Sequence, residues 1–178
     1  IHDLFTFVPH LASLGLWYRQ LTAESVGKET NLSGEEVRTG VTPTVSVGST
    51  DLHSVAQLYL GGPRDKVTTF VSLDSSSESI QMPHDRTLVG LIPSLHEKTA
   101  SSVMSAILEG TKIAYQKNNL PFMEVVFDEV SPYTLGAFMQ FKMMEIMYLG
   151  HLLDVNTFDQ PNVESYKTET KKILDRDA

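Results

Sequence analysis

Two runs of β-branched and aromatic residues constrain the fold of this chain more than any other feature. KVTTFVSL at 66–73 and FMEVVF at 122–127 are typical of buried strands, and long helical patterns surround both. Strands that alternate with long helices predict an α/β fold, a three-layer α-β-α sandwich around a mainly parallel sheet. Two strands are few for so much helix, so we expect the sheet to be incomplete in this chain.

Apolar periodicity and capping residues predict the other elements. Residues 27–50 are rich in Gly, Thr and Ser, which indicates an irregular loop with at most a short strand at 44–48. DSSSES at 74–79 is typical of a solvated loop. The predicted helices are 3–26 from its three- and four-residue apolar steps, 52–60 between an Asp51 cap and Gly61-Gly62, 94–118 from a Ser94–Glu97 capping box, 132–153 after Ser131-Pro132, and 161–175 from Pro161.

Composition excludes several classes of function. A net charge of −8 with only 14 Lys and Arg argues against nucleic acid or an anionic membrane as a partner. The 178 residues contain no Cys, which excludes disulfides and thiol catalysis here and fits a reducing cytoplasm. The N-terminal stretch does not match a signal peptide. Lys142, Glu145 and His151 interrupt the apolar run at 132–153, so we expect no membrane span.

Three residues are candidates for chemistry, and each also has a plainer interpretation. Glu24 near a Gly-containing turn suits a general base, or is a solvated acid at a helix end. His53, expected in the first turn of its helix, suits proton transfer as a neutral imidazole, or simply packs or caps. Lys167 could stabilise developing negative charge, or is an exposed helix lysine. The histidines have no partner at ligand spacing, so no metal site is expected.

Taken together, three segments resemble the glucose-6-phosphate isomerase family. GHLLDVNTFDQPNVESYK at 150–167 matches the family's C-terminal signature except at Asn162, where the family has Gly. Asn tolerates a left-handed backbone better than most residues, so we expect the turn to survive. WYRQLTAESVGK at 17–28 and STDLHSVAQLYLGGPRD at 49–65 are also similar to family segments, in the family's order.

The resemblance implies an aldose-ketose isomerase that interconverts glucose 6-phosphate and fructose 6-phosphate through a cis-enediol. Glu24 matches the carboxylate that moves the proton, His53 and Lys167 match the residues assigned to ring opening, and Gln160 matches a glutamine that lines the sugar site. The resemblance also implies a sugar-phosphate substrate, no metal or redox cofactor, and a homodimer with a shared active site to which the neighbouring subunit supplies the histidine.

Two family segments upstream of the glutamate are not found in this chain: the phosphate-binding Ser/Thr loop and a Gly-Gly-Arg segment. We therefore expect residues 1–178 to be the C-terminal portion of such an enzyme, with its second sugar-isomerase (SIS) domain and without the phosphate-binding half, and to be inactive alone. The alternative is a non-catalytic sugar-phosphate-binding or dimerisation module of the same fold. Such a module would have no reason to keep Glu24, His53 and Lys167 together.

Overall fold

The structure is a computed structural model, and it describes residues 1–74, 80–82 and 90–176. The chain forms two compact units, the first made of Ile1–Gly15 and Thr44–Thr134, the second of Leu16–Pro43 and the chain from Leu135 onward. In chain order the elements are β1 (His2–Thr6), α1 (Ala12–Val26), β2 (Lys28–Thr30), β3 (Glu36–Thr39), β4 (Pro43–Val47), α2 (Thr50–Ser54), α3 (Ala56–Gly61), β5 (Val67–Leu73), α4 (Ala100–Lys117), β6 (Phe122–Phe127), α5 (Pro132–Leu152) and α6 (Val163–Leu174), with 3₁₀ turns at Pro9–Leu11 and Pro93–Leu95.

A four-stranded sheet in the order β4-β1-β5-β6 organises the first unit. β1 runs parallel to β5, with Phe5 opposite Phe70, and β5 runs parallel to β6, with Phe70 opposite Glu124. Side chains of α3 and α4 pack on the sheet in a largely aromatic hydrophobic cluster of Phe5, Phe7, Tyr59, Phe70, Leu108, Tyr115 and Leu120. Burial of each such side chain contributes about 1.5–3 kcal/mol. The predicted α/β class with a mainly parallel sheet is confirmed, and the sheet is partial, as expected.

A buried carboxylate on β1 links the sheet to α3. Asp3 is fully buried, and its Oδ1 accepts hydrogen bonds from Thr44 Oγ1 at 2.6 Å, Ser46 Oγ at 3.1 Å and Tyr59 OH at 3.0 Å. Burial raises the pKa of Asp3, because a low-dielectric surrounding disfavours the charged form, although the three hydroxyl donors oppose this rise. The carboxylate therefore joins β1 to β4 and α3 and serves the core of the first unit.

The prediction of one helix over 3–26 was wrong in its first third. Residues His2–Thr6 form β1, with all five side chains buried, and α1 begins only at Ala12, after a 3₁₀ turn that starts at Pro9. Because both faces of β1 are buried, its sequence lacks the alternation of polar and apolar residues that would distinguish a strand from a buried helix. Pro9 also prevents the helix from extending back toward β1.

The segment predicted as an irregular loop contains more order than expected. β2 pairs antiparallel with β3, and the connecting turn passes through Gly34 at φ +84°, a conformation that suits glycine. Asn31 Oδ1 accepts from the backbone N–H groups of Ser33 and Glu35, which stabilises this turn. The short strand expected at 44–48 is confirmed as β4.

Two capping assignments were wrong. The predicted helix over 52–60 is divided into α2 and α3, and Asp51 does not cap it, because its Oδ2 accepts from Val47 N at 2.7 Å. The stop at Gly61-Gly62 is confirmed, since Gly62 ends α3. The capping box of α4 is formed by Thr99 and Ser102, not by Ser94 and Glu97. Most of the DSSSES segment lies outside the described residues.

The remaining predictions agree with the structure apart from local detail. β5 and β6 are where the sequence predicts them, but β6 is an edge strand, and its side chains are largely exposed rather than buried. α5 begins at Pro132 as expected, and α6 begins at Val163, two residues after Pro161. None of the helices in the described part of the chain is long and apolar enough to cross a membrane.

In the second unit, a buried lysine ties α5 to α1. Lys142 is 1% exposed; its Nζ lies 2.7 Å from Glu145 Oε2 and 5.0 Å from the ring centroid of Tyr18 on α1. Tyr18 OH donates to Glu145 Oε1 at 3.4 Å. A cation over an aromatic face and a partly buried ion pair both favour one arrangement of the two helices. These contacts therefore fix the helix whose last turns carry Glu24.

Candidate active site

Glu24 and Gln160, which lie 136 positions apart in the chain, are joined by a direct hydrogen bond in the second unit. Gln160 Nε2 donates to Glu24 Oε2 at 3.0 Å, and Gln20 Nε2, one helical turn before Glu24, donates to Oε1 at 2.7 Å. Both side-chain partners of the carboxylate are neutral amides. Within the described residues, the carboxylate of Glu24 is thus held by two amide donors and forms no ion pair.

Gln160 belongs to a loop, residues 153–162, that is ordered by its own side chains. Val155 is buried, Asn156 Oδ1 accepts from Phe158 N at 3.0 Å, and Asn156 Nδ2 donates to Asp159 Oδ2 at 2.8 Å. Asn and Asp side chains commonly organise tight turns in this way. In addition, Leu32 of the β2–β3 turn donates its N–H to the carbonyl of Asp154 at 2.9 Å, which attaches the loop to the hairpin.

Sequence reasoning missed Lys28, the first residue of β2. Its side chain is only 5% exposed, and its Nζ donates to the Glu24 carbonyl at 3.2 Å, to Asp159 Oδ1 at 3.1 Å and to the Asp159 carbonyl. A lysine is rarely buried unless it is paired, so these acceptors account for its position. The only sequence signal was its place in the family-like segment 17–28, which ends in Gly-Lys.

Lys167 lies on α6 of the same unit in a different setting. Its side chain is 52% exposed and forms an ion pair with Glu164, one turn earlier, at 2.8 Å. The hydrogen bond to the Glu164 carboxylate raises the pKa of Lys167, because it favours the charged ammonium. Among the described residues, the hydrogen bond of Lys167 goes to Glu164 and not to Glu24, so the structure does not bring these two candidates into contact.

His53 lies on α2 in the first unit and is exposed. It occupies the last turn of this five-residue helix rather than the first. The prediction that His53 lies at the N-terminal end of its helix was therefore wrong. The reason is that α2 ends at Ser54, where the sequence predicted one helix continuing to 60.

Asn162, the position where the chain departs from the family signature, has a right-handed backbone with φ −73° and ψ −21°. The expectation of a left-handed turn there was wrong. Its Nδ2 instead donates to Glu29 Oε2 at 3.0 Å, and Glu29 is also paired with Arg38 through Oε1 at 2.9 Å. The side chain of Asn162 thus connects the start of α6 to β2, a contact that a glycine cannot make.

A polar cleft of about 480 Å³ adjoins this arrangement in the second unit. It lies between β2 with the turn that follows it and the loop at 156–162, and its walls include Lys28, Asn31, Asp159 and Asn162. Within the described residues, no group of three or more His, Asp or Glu side chains has the spacing of a metal site.

Comparison with known proteins yields one consistent result. The family model described as phosphoglucose isomerase matches residues 1–178. The glucose-6-phosphate isomerase of Carboxydothermus hydrogenoformans is 36% identical over 175 residues, which cover 98% of this chain and 38% of that protein. The glucose-6-phosphate isomerase of Thermus thermophilus is 33% identical over 174 residues, with 98% and 41% covered.

Solved structures extend the comparison to the fold. A hypothetical protein from Thermus thermophilus superposes with a TM-score of 0.89 at 33% identity, over 97% of this chain and 41% of that one. A glucose-6-phosphate isomerase from Chlamydia trachomatis gives a TM-score of 0.80 at 20% identity, over 97% of this chain and 34% of that one, which shows a shared fold.

The relatives named above are glucose-6-phosphate isomerases, so the family that they indicate is one of sugar-phosphate isomerases. The chain belongs to the phosphoglucose isomerase family. It spans about two fifths of the length of the curated relatives it matches, 38% and 41% in the two cases above.

Proposed function

We propose that the protein containing this chain interconverts glucose 6-phosphate and fructose 6-phosphate, and that this chain supplies the base, Glu24. The observation that carries the proposal is the hydrogen bond between Glu24 and Gln160. The resemblance assigns the two residues to the sugar site through different segments of the sequence, and their hydrogen bond supports a single site formed by both segments. The names of the relatives support the same reaction.

The chemistry requires a base that is held still. A C–H bond beside a carbonyl is a weak acid, so proton removal needs a positioned group and stabilisation of the enediolate oxygen. In the proposed reaction, the Glu24 carboxylate takes the proton from C2 of the open-chain aldose, which leaves a cis-enediolate with its negative charge on O1. A proton passes from O2 to O1 through the cis-enediol, and the protonated Glu24 returns its proton to C1, which gives the ketose. One proton has then moved from C2 to C1 and one from O2 to O1, with no net gain or loss. The amides of Gln20 and Gln160 keep both carboxylate oxygens in a fixed orientation throughout.

Ring opening precedes proton transfer, and we assign it to His53 and Lys167. Both side chains are exposed, which supports their availability to a ligand or to a neighbouring subunit. The proposed assembly is a homodimer in which the neighbouring subunit supplies His53. The proposal includes a cytoplasmic enzyme of glycolysis and gluconeogenesis, in which residues 1–178 are the C-terminal SIS-like portion and the substrate phosphate is bound by residues outside them.

Replacement of Glu24 by Gln in the full-length protein tests the assignment. The variant keeps the size of the side chain and one acceptor oxygen but removes the basic carboxylate, so isomerisation is expected to fall by about 10²–10⁴-fold. Glu169→Gln is the matched control, because Glu169 is an exposed acid on α6, paired with Lys172. The control is expected to remain within about twofold of wild type.

A coupled enzymatic assay with both variants, together with circular dichroism to verify the fold, decides between the outcomes. Activity of Glu24→Gln within about tenfold of wild type would reject Glu24 as the base. It would also favour a binding or dimerisation role for this portion of the protein. Residues 1–178 purified alone are expected to lack useful activity, and specific activity comparable to a version extended upstream would place the phosphate site within this chain.

A further inference from the structure

The ammonium group of Lys28 holds together the two pieces of main chain that carry Glu24 and Gln160. One of its acceptors is the carbonyl of Glu24 itself, at 3.2 Å. The others are Oδ1 of Asp159, at 3.1 Å, and the Asp159 carbonyl, and Asp159 directly precedes Gln160. An ammonium has three N–H donors and no acceptor, so these three oxygens match its full hydrogen-bonding capacity.

The position of the Glu24 carbonyl explains why a cation is favourable there. Glu24 lies in the last turn of α1, which ends at Val26, and the last four carbonyls of a helix have no partner within it. The same carbonyls form the negative end of the helix dipole. Lys28 therefore satisfies an orphan acceptor at the end of α1 and at the same time binds the loop that holds Gln160.

We propose that Lys28 is a positioning residue for the isomerase reaction, one that fixes the separation of the Glu24 carboxylate and the Gln160 amide. This inference rests on the proposed function of Glu24. Lys28 contacts the main chain of Glu24 rather than its carboxylate, so it acts on the reaction only through the place it gives the base. A base displaced by about 1 Å from its productive position loses on the order of 10²-fold in rate, while the contacts that bind the substrate elsewhere are kept.

A positioning role for Lys28 differs from a purely structural role in a measurable way. If Lys28 positions the base, its loss slows proton transfer selectively, so kcat falls more than KM changes and the C2-deuterium isotope effect on kcat rises. If Lys28 only stabilises the fold, the folded fraction of a variant keeps the isotope effect of the wild type. A small alkylammonium that enters the space left by the side chain also restores the rate only in the first case.

The experiment is Lys28→Ala in the full-length protein, assayed with glucose 6-phosphate and its C2-deuterated form, with and without ethylammonium. We expect kcat to fall by about 10- to 100-fold, KM to change by less than about threefold, and the isotope effect to rise. Added ethylammonium is expected to raise kcat in a saturable manner. Lys172→Ala, which removes an exposed lysine paired with Glu169, serves as the control and is expected to stay within about twofold of wild type.

Three outcomes would overturn the inference: an unchanged kcat, an unchanged isotope effect despite a lower kcat, or a lower kcat that ethylammonium does not restore. If Lys28→Ala does not fold, Asp159→Ala replaces it, because the Asp159 side chain is half exposed and its loss leaves both carbonyl acceptors in place. For Asp159→Ala we then expect kcat to fall by about 3- to 10-fold and the isotope effect to rise. Wild-type values for both quantities would reject the positioning role of Lys28. Glu24→Gln in the same assay separates the two proposals: an active Glu24→Gln rejects the proposed function, whatever Lys28 does.

Discussion

Lys28 and Lys167 both lie in segments that resemble the isomerase family, yet the structure gives them opposite surroundings. The Lys28 side chain is 5% exposed and binds three oxygens from two parts of the chain, whereas the Lys167 side chain is 52% exposed and binds one carboxylate on its own helix. An exposed ion pair between positions three apart contributes about 0.2–0.5 kcal/mol, so Lys167 can leave Glu164 at little cost. Lys28 cannot move without freeing two backbone carbonyls.

The two lysines illustrate two different roles at a site: one fixes the positions of other groups, and the other is available to bind a substrate. A buried lysine with its donors fully used determines where other groups lie, and it has no hydrogen bond left for a substrate. An exposed lysine with one weak partner determines little in the free protein but can exchange that partner for a sugar oxygen. Mutation of each residue should therefore affect different sets of measurements: turnover alone for the exposed lysine, and both turnover and the free energy of unfolding for the buried one.

Of the two lysines, Lys167 is expected to give the larger effect on turnover when it is replaced by Ala in the full-length protein. If Lys167 assists ring opening, the closed-ring substrate loses about 10²-fold or more, while an open-chain analogue is much less affected. The free energy of unfolding is expected to change by less than about 0.5 kcal/mol, because the side chain is exposed. His53→Ala is expected to show the same selectivity for the closed-ring substrate.

The measurement is a pair of kinetic assays in the same buffer, with Lys171→Ala as the matched control because Lys171 is an exposed lysine one turn further along α6. An equal loss with both substrates rejects ring opening for Lys167 and leaves it as a residue that binds substrate in general. A large fall in the free energy of unfolding on removal of the Lys167 side chain would contradict the view that this lysine contributes little to stability.

A smaller effect, measured here as stability, is expected from Lys28→Met. Hydrogen bonds that involve a charged partner contribute about 1.5–3 kcal/mol, and the Asp159 side chain left behind is half exposed and therefore remains solvated. We expect the free energy of unfolding to fall by about 2 kcal/mol, against less than about 0.5 kcal/mol for Lys167→Met. The midpoint of urea unfolding measures both, and equal midpoints for the two variants would refute the distinction.

The fold could be predicted from sequence where one element has a pattern that no other element shares. β5 is a β-branched run, and α5 begins with Ser-Pro, so both were located correctly. β1 was missed because a strand buried on both faces has no alternation, and its apolar residues continued the helical steps of α1. The cap of α4 was misplaced because two hydroxyl-containing segments precede it, and only tertiary structure selects Thr99 over Ser94.

The site was predictable only in part, because the residues that meet in it are far apart in the sequence. Glu24 and Gln160 were assigned through resemblance, and nothing in the spacing of 136 residues indicates that their side chains meet. Lys28 was missed because a lysine after a glycine is typical of an exposed turn, and its partner Asp159 lies 131 positions away. Burial of a charge depends on such distant partners, so it cannot be inferred from the local sequence.

The smallest effect is expected from Asn162→Gly, which restores the residue of the family signature. Asn162 connects the surroundings of the two lysines. It directly precedes α6, the helix of Lys167, and its amide donates to Glu29, the residue after Lys28. Its backbone is right-handed, so glycine brings no relief of strain and adds freedom to the unfolded chain. Loss of one exposed hydrogen bond and this added entropy together are expected to lower the free energy of unfolding by about 0.5–1 kcal/mol, with activity within about twofold of wild type.

Asn162→Ala removes the same hydrogen bond without the added freedom of the unfolded chain, so its urea midpoint should lie between those of Asn162→Gly and wild type. A glycine variant more stable than wild type would instead show that position 162 adopts a left-handed backbone in solution. It would also show that the Asn162–Glu29 contact does not connect α6 to β2.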